Sequence, residues 1–493
     1  MISAKFIPRF YIRLKHLYGL DTRALSLMRI ALSLILLLDL CIRVTSLTAH
    51  YTETGAVPFN QVERAFWSPG YFSLFQFGDT YGFALTMFII TGIVYLFLLA
   101  GYKTKLFTVL AWFLLTSLQN RNTLILQSGD DLLRMVLFWG IFMPWGNFYS
   151  IDSKKLRLFR DTEKKKTVLS VATAGYVVLL FSLYFFTGLL KESPEWNSEG
   201  SAIYYALSLD QMTWSFGKML LAYPNVLKFL TVFVRWFEML MPFLLLVPFK
   251  NSRFRLIFIL CVAAFQISIS MTLFVGLFYL ISLVVLIGLL PAYVMDWFDS
   301  KIKRKQTIEI KTEKNYFVKK ITTNYYINVI KNSFLFFCAA LCMLWNISTV
   351  NGSGLTVANG FFQFGYSMRF NQNWGMFAPT VFKDDGWYIM DGTTKNLRKI
   401  DINRNGTKVD YIKPTNVLAY IKDDRWRKFY ENYVAANNGF MRSYFCIYLI
   451  HDWNKKHSDN KIDSLQIIYM KEFSVLPNQK QKVSKEVLCT CAN

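Results

Sequence analysis

Histidine is nearly missing from this chain: 4 among 493 residues. No zinc motif, no phosphate-cradling glycine loop and no nucleophile elbow occurs either. Zinc hydrolases, P-loop nucleotidases and α/β-hydrolases of the usual signature are thereby set aside. Acidic residues are scarce as well, with 32 Asp and Glu against 55 Lys and Arg, a formal charge of +23. Cysteine is used sparingly. Cys41, Cys261, Cys338 and Cys342 fall in apolar runs and read as small buried side chains. Cys446, Cys489 and Cys491 lie near the C-terminus. A single Cys-x-Cys lacks the four-ligand spacing of structural zinc, leaving either a disulfide with Cys446 or a fragment of a metal site. No internal repeat stands out, and no small-residue cleavage site follows the first apolar run from Leu25. That run is expected to stay as an uncleaved helix.

What the chain has in excess is apolar length. Hydrophobic residues make up 54%, and the mean hydropathy is +0.29, above the level of an ordinary soluble domain. The excess is gathered into runs near 25–44, 81–101, 106–118, 133–149, 168–190, 225–248, 254–273, 275–295 and 329–349. Several reach the roughly 20 residues that a bilayer crossing requires. The expected fold is an all-α polytopic membrane domain of about nine helices with a small C-terminal extracytoplasmic α+β domain. The parts are a multi-helix membrane domain (1–295), a basic cytoplasmic linker (296–328), a final transmembrane helix (329–349) and the extracytoplasmic domain (350–493). In the last, WYIMDG and LQIIYM suggest strands, and the run from Asp423 to Ile450 has helical spacing.

The basic residues follow the same plan. The connections 1–24, 102–105, 150–167, 249–253 and 296–328 hold more than twenty Lys and Arg, whereas the opposite loops hold about four. Such asymmetry writes topology, not nucleic-acid binding, and puts the N-terminus in the cytoplasm and 350–493 outside. The partner expected is a lipid bilayer, the inner membrane of a bacterium. Residues 1–24, with Lys5, Arg9, Arg13, Lys15 and Arg23 between aromatics, read as an amphipathic lead-in on an anionic face.

Ionisable groups inside apolar runs are expensive and mark candidate sites. They are Asp39 and Arg43, four apart on the first helix; Asp130, Asp131 and Arg134 in SGDDLLR; Lys191 in GLLKESPEW; and Arg235 and Glu238, three apart. The outer ones share a depth and suit one polar cavity open to the outside. Adjacent Asp130 and Asp131 repel unless a cation or proton compensates, unless one caps its helix. Lys191 reads either as a lysine snorkelling to the interface or as a base whose charged form burial disfavours. Residues 361–377, rich in Phe and Trp, suit an interfacial segment that either covers the cavity or anchors the domain.

Three stretches resemble the HTTM family, the membrane domain shared with vitamin K-dependent gamma-glutamyl carboxylase. They are NRNTLILQSGDDLLRMVLFWGIFMPWG (120–146, with Asn120, Asn122 and Gly129), GLLKESPEW (188–196, with Gly188, Lys191 and Trp196) and EMLMP (238–242). NWGMFAP (373–379) is similar to a tail on bacterial members. The resemblance implies that Lys191 is a base toward a reduced quinone of vitamin K type, with a quinol or a peptide as substrate. It also admits a non-enzymatic factor that binds, matures or exports a peptide. Two positions depart from the carboxylase: Asn120-Arg121-Asn122 has no histidine, and Gln266 stands where a second histidine is common.

Overall fold

The structure, a computed structural model, describes residues 6–154, 166–302, 325–355, 358–477, 479 and 481–492. Each apolar run closes its backbone hydrogen bonds within itself, as a segment away from water must. The larger helices are α1 (Phe6–Tyr18), α2 (Thr22–Val44), α3 (Tyr81–Ala100), α4 (Thr104–Arg121), α5 (Ser128–Phe142), α6 (Val171–Leu189), α7 (Pro224–Leu246, its last turn a 3-10 helix) and α8 (Asn251–Thr272). They continue as α9 (Phe278–Ile287), α10 (Ala292–Ile302), α11 (Tyr325–Ser348), α12 (Asn359–Ser367), α13 (Asp424–Val434) and α14 (Arg442–Lys456). Local chemistry sets their ends. Asp21 caps α2, Thr80 caps α3 and Asp423 caps α13 through side-chain oxygens. Gly101 ends α3 at φ +67, a left-handed conformation that glycine adopts without strain.

Six of these helices, α2, α3, α6, α7, α8 and α11, are long and apolar enough to cross a membrane, as expected of a membrane protein. The run 275–295, expected as one span, is instead broken. α9 and α10 meet at 89°, because Pro291 lacks an N–H and cannot continue the ladder. Cys41 was expected to be buried; it is exposed on the outward face of α2. Cys338 and Cys342 are buried, and Cys261 is half-buried. Of the basic linker 296–328, residues 303–324 lie outside the described residues, as do Lys5 and 155–165. The two-residue strands β1 (Leu20–Asp21) and β2 (Thr167–Val168) pair at one end of the bundle.

The C-terminal part is a five-stranded antiparallel sheet of order β5-β4-β3-β6-β7. β3 is Asp384–Thr394, β4 Lys399–Asp401, β5 Thr407–Lys408, β6 Ile462–Phe473 and β7 Val483–Ala492. WYIMDG lies in β3 and LQIIYM in β6, paired in register with Trp387 opposite Met470. The helical stretch resolves into α13, a tight turn and α14. Cys446 of α14 is bonded to Cys491 of β7, and Cys489 stays free.

One of the seats of this domain on the helical body is at Asp385, which is 0% exposed. Its carboxylate accepts the backbone N–H of Asp210 at 2.6 Å and of Gln211 at 3.4 Å. Among the described residues, Asp210, Asp385 and Glu472 are the one carboxylate group with metal-holding spacing, their ligand atoms within 4.8 Å of one another. Lysines already face them: Lys413 joins Asp210 at 2.5 Å and also Glu472, and Lys218 reaches Asp210. Burial pushes the Asp385 carboxyl up to about 7, the Asp210 and Glu472 charges adding to it while backbone N–H groups of Asp210 and Gly386 oppose it. A carboxyl raised in the folded state stabilises it most below the unfolded value and loses that contribution as pH rises through 7. The folded protein is therefore expected to gain on the order of 1 kcal/mol between pH 8 and pH 6. Asp385→Asn should remove that gain, measured as the difference in chemical unfolding between the two proteins at each pH.

Candidate functional site

The charges at the sheet-domain end of the helical body converge, joined by a residue from the sheet domain that the apolar-run reading passed over. Asp39 and Arg43 lie one turn apart on α2, and Arg43 Nε meets Asp39 Oδ2 at 2.7 Å. Arg43 Nη2 reaches Asp130 Oδ1, at the start of α5, at 2.6 Å. Arg425 of α13 then enters from the sheet domain, its Nη2 at 2.7 Å from Asp39 Oδ1 and its Nη1 on Asp130 Oδ2. Two guanidiniums and two carboxylates form a closed, buried set, with Tyr51 Oη accepting from Arg43 at 2.8 Å. Burial and the neighbouring Arg43 disfavour the charge on Arg425, but Asp130 and Asp39 outweigh them and hold its pKa above the ordinary value. Asp130 also caps its helix, accepting Gln127 N–H at 2.8 Å, so it carries both of the roles weighed for it. Arg425 shares a charged helix with Arg427; the helical spacing of that run did not single it out.

Asp131 is compensated separately by Arg134 at 2.6 Å. Arg134 also donates to Gln119 and to the Arg369 carbonyl at 3.2 Å. Asn120 Nδ2 donates to Phe72 O at 2.8 Å, and Asn122 Oδ1 accepts Leu124 N–H at 3.1 Å. Gly129 lets α5 approach α9, since a Cβ there would lie 3.0 Å from Ile281 Cδ1. Gln266 is buried on α8 and donates to Tyr184 Oη at 3.3 Å.

Lys191 does not join the acidic set. It is 2% exposed, so it does not snorkel. Its Nζ lies 2.5 Å from Glu238 Oε2 and 3.2 Å from the Thr187 carbonyl, with the Trp196 ring centroid at 4.9 Å. The expected Arg235–Glu238 pair is replaced by this one. Glu238 is on the face of α7 turned to α6, whereas Arg235 is only half-buried and makes no ion pair among the described residues. Gly188 makes the crossing possible: a Cβ there would sit 2.7 Å from Met239 N and 2.9 Å from Arg235 O. Two motif stretches remote in sequence also meet, since Trp196 Nε1 donates to Phe377 O at 2.8 Å and Ser193 N–H to Pro379 O at 3.2 Å. Residues 361–377 chiefly anchor: Trp345 of α11 packs on Phe362 and Tyr366 at 4.9 and 5.0 Å, and Trp374 is fully buried. Position over Asp39 and Asp130 belongs to α13.

Two cavities open at the junction. One, of about 280 Å³, has Asp39, Asp130 and Arg425 on one side and Leu273, Phe274, Leu277, Phe278 and Ile281 on the other. The second, of about 380 Å³, is lined by Met376, Phe377 and Phe382 together with Asp131, Arg427 and Glu431. Lys191 lines neither. Ring-sized apolar walls beside hydrogen-bond acceptors fit a reduced quinone in chemistry. No family model, no curated protein and no solved structure matches the chain.

Removing Arg425 leaves two buried carboxylates facing one guanidinium. Arg425→Ala is expected to cost about 3–5 kcal/mol, as breaking a buried ion set does. Adding Asp130→Asn should recover part of it, which a double-mutant cycle on chemical unfolding in detergent will show.

Proposed function

We propose that this chain is an HTTM-type integral membrane protein with outward-facing, carboxylase-like proton-transfer chemistry at Lys191. Nine crossings are taken: the six long apolar helices, the bent pair α9–α10, and α4 with α5. α5 is largely buried in the bundle, and α4 turns polar where it is buried, ending in Gln119, Asn120 and Arg121. The loop charges then put the N-terminus in the cytoplasm and the sheet domain outside, in the periplasm of a bacterium. The ends carrying Arg43, Arg121, Asp130 and Lys191 all fall on the sheet-domain side, in keeping with that order.

The observation that carries the chemistry is the enclosed Lys191–Glu238 pair, with no third ion-pair partner. With the proton of Lys191 Nζ moved to Glu238 Oε2, the amine is neutral and can take a substrate proton; the pair is reset when Glu238 gives up its own proton to water or to a basic group of the departing product. Trp196 covers the ammonium and excludes water on that side. Because Lys191 lines neither cavity, a reduced quinone would have to reach the pair from outside both; when bound it would supply reducing electrons and an acidic hydroxyl. A second reading, a factor that binds or exports a peptide, is favoured by the larger cavity, whose wall mixes Phe377 and Phe382 with charges of both signs.

Oxygen uptake by purified protein with reduced vitamin K or menaquinol decides between them. Uptake is expected from wild type and should vanish in Lys191→Met. Because Lys191 is buried on a carboxylate, the paired variant Lys191→Met with Glu238→Leu guards against misfolding. No uptake from folded wild type with any quinol sinks the enzymatic reading and leaves the peptide factor.

Orientation has its own check. Single cysteines at Lys154, Ser198 and Thr407, all exposed, are labelled with an impermeant maleimide in intact cells. Labelling at 198 and 407 but not at 154 is expected, and the opposite pattern reverses the topology.

A further inference from the structure

The stretch Asn120–Asn122 holds one group that the proposed chemistry does not use. Arg121, the last residue of α4, is 0% exposed. Its Nη2 donates to the Thr52 carbonyl at 2.9 Å, and its guanidinium sits 5.5 Å from the Phe59 ring centroid. Nε and Nη1 have no partner, which leaves three N–H groups unused. No carboxylate lies within ion-pair distance of it among the described residues. The carbonyls at the end of α4 temper a cation there but do not match a full charge.

Asp79 acts on Arg121 only through space, without an ion pair. Asp39 and Asp130 are already engaged by Arg43 and Arg425. His50, 1% exposed, also has an unpartnered Nε2. Its imidazole is held down at about 3 by burial first and then by Arg121, Arg43, Lys422 and Arg425, so it stays neutral. That list of cations describes a strongly electropositive spot. A buried group of this kind is paired or hydrogen-bonded in nearly every folded protein.

We propose that Arg121 binds a small inorganic anion of halide size beneath the sheet domain, and that this anion steadies the seat of α13. Arg43 and Arg425 are already matched by Asp39 and Asp130, so the remaining guanidinium calls for one negative charge, which disfavours phosphate or sulfate. Complete enclosure favours an ion that sheds its water readily. The link to the seat is short: Asn122 Nδ2 lies 3.5 Å from His50 Nδ1, and the His50 ring packs at 4.5 Å on Trp426, the neighbour of Arg425.

The full chain, purified in detergent, is melted in sodium gluconate replaced stepwise by sodium chloride or bromide at constant ionic strength. Wild type should show a saturable upward shift in Tm with both halides. Arg121→Lys, which keeps the charge but loses the planar donor fork, should need several-fold more halide for half the shift. Arg121→Gln should be flat, and Arg404→Gln, in the sheet domain, should behave as wild type. A wild-type Tm equal in gluconate and halide, a rise that does not saturate, or an undiminished response in Arg121→Gln overturns the proposal. Should Arg121→Gln not fold, an unchanged half-saturation in Arg121→Lys overturns it instead.

Discussion

Two arginines and two aspartates at the sheet-domain end of the bundle hold the molecule to one arrangement. Asp39, Arg43, Asp130 and Arg425 come from α2, α5 and α13, so the cluster closes only when two helices and the sheet domain are all in place. Each ion would be prohibitively costly alone in so dry a setting, and together they cancel. Such a set contributes less to net stability than to uniqueness: any slippage of α13 leaves a carboxylate bare. The cap on α5, the close approach at Gly129 and the aromatic packing of Trp426 on His50 all depend on that closure.

Separating this cluster from Lys191 changes the chemistry available. Had Asp130 and Asp131 faced Lys191, several carboxylates would have fixed its proton in place. They are instead neutralised by Arg43, Arg425 and Arg134, and among the described residues Lys191 is left with Glu238 as its one ion-pair partner. A lone acid–base couple can pass a proton back and forth, whereas an ammonium among four carboxylates cannot. The contact of Trp196 with the Phe377 carbonyl ties this couple to the stretch that joins the bundle to the sheet. Movement at the junction is thereby felt beside the pair.

Asp385, at the start of the central strand β3, and Lys413 play a comparable role. There carboxylates outnumber the ammonium groups that face them, so the seat responds to protons, while the arginine cluster is balanced in charge.

Length and apolarity were enough to find the helical runs, because burial of a continuous segment leaves helix as the way to satisfy its backbone. Alternation in WYIMDG and LQIIYM was enough for the central strand pair, and four-residue spacing was enough for Asp39–Arg43, since both are local periodicities. The partners of the other charges were not legible. Arg235 and Glu238 look paired by spacing, but the rotation of α7 against α6, allowed by Gly188, gives Glu238 to Lys191. Arg425 lies 295 residues from Asp130, and no local pattern encodes such a contact. Which cysteine of Cys489 and Cys491 bonds Cys446 was likewise decided by the register of β7 on β6. Local rules set what each segment becomes, because backbone hydrogen bonding and burial act over a few residues; charge pairing acts across space, so only the packed bundle decides it.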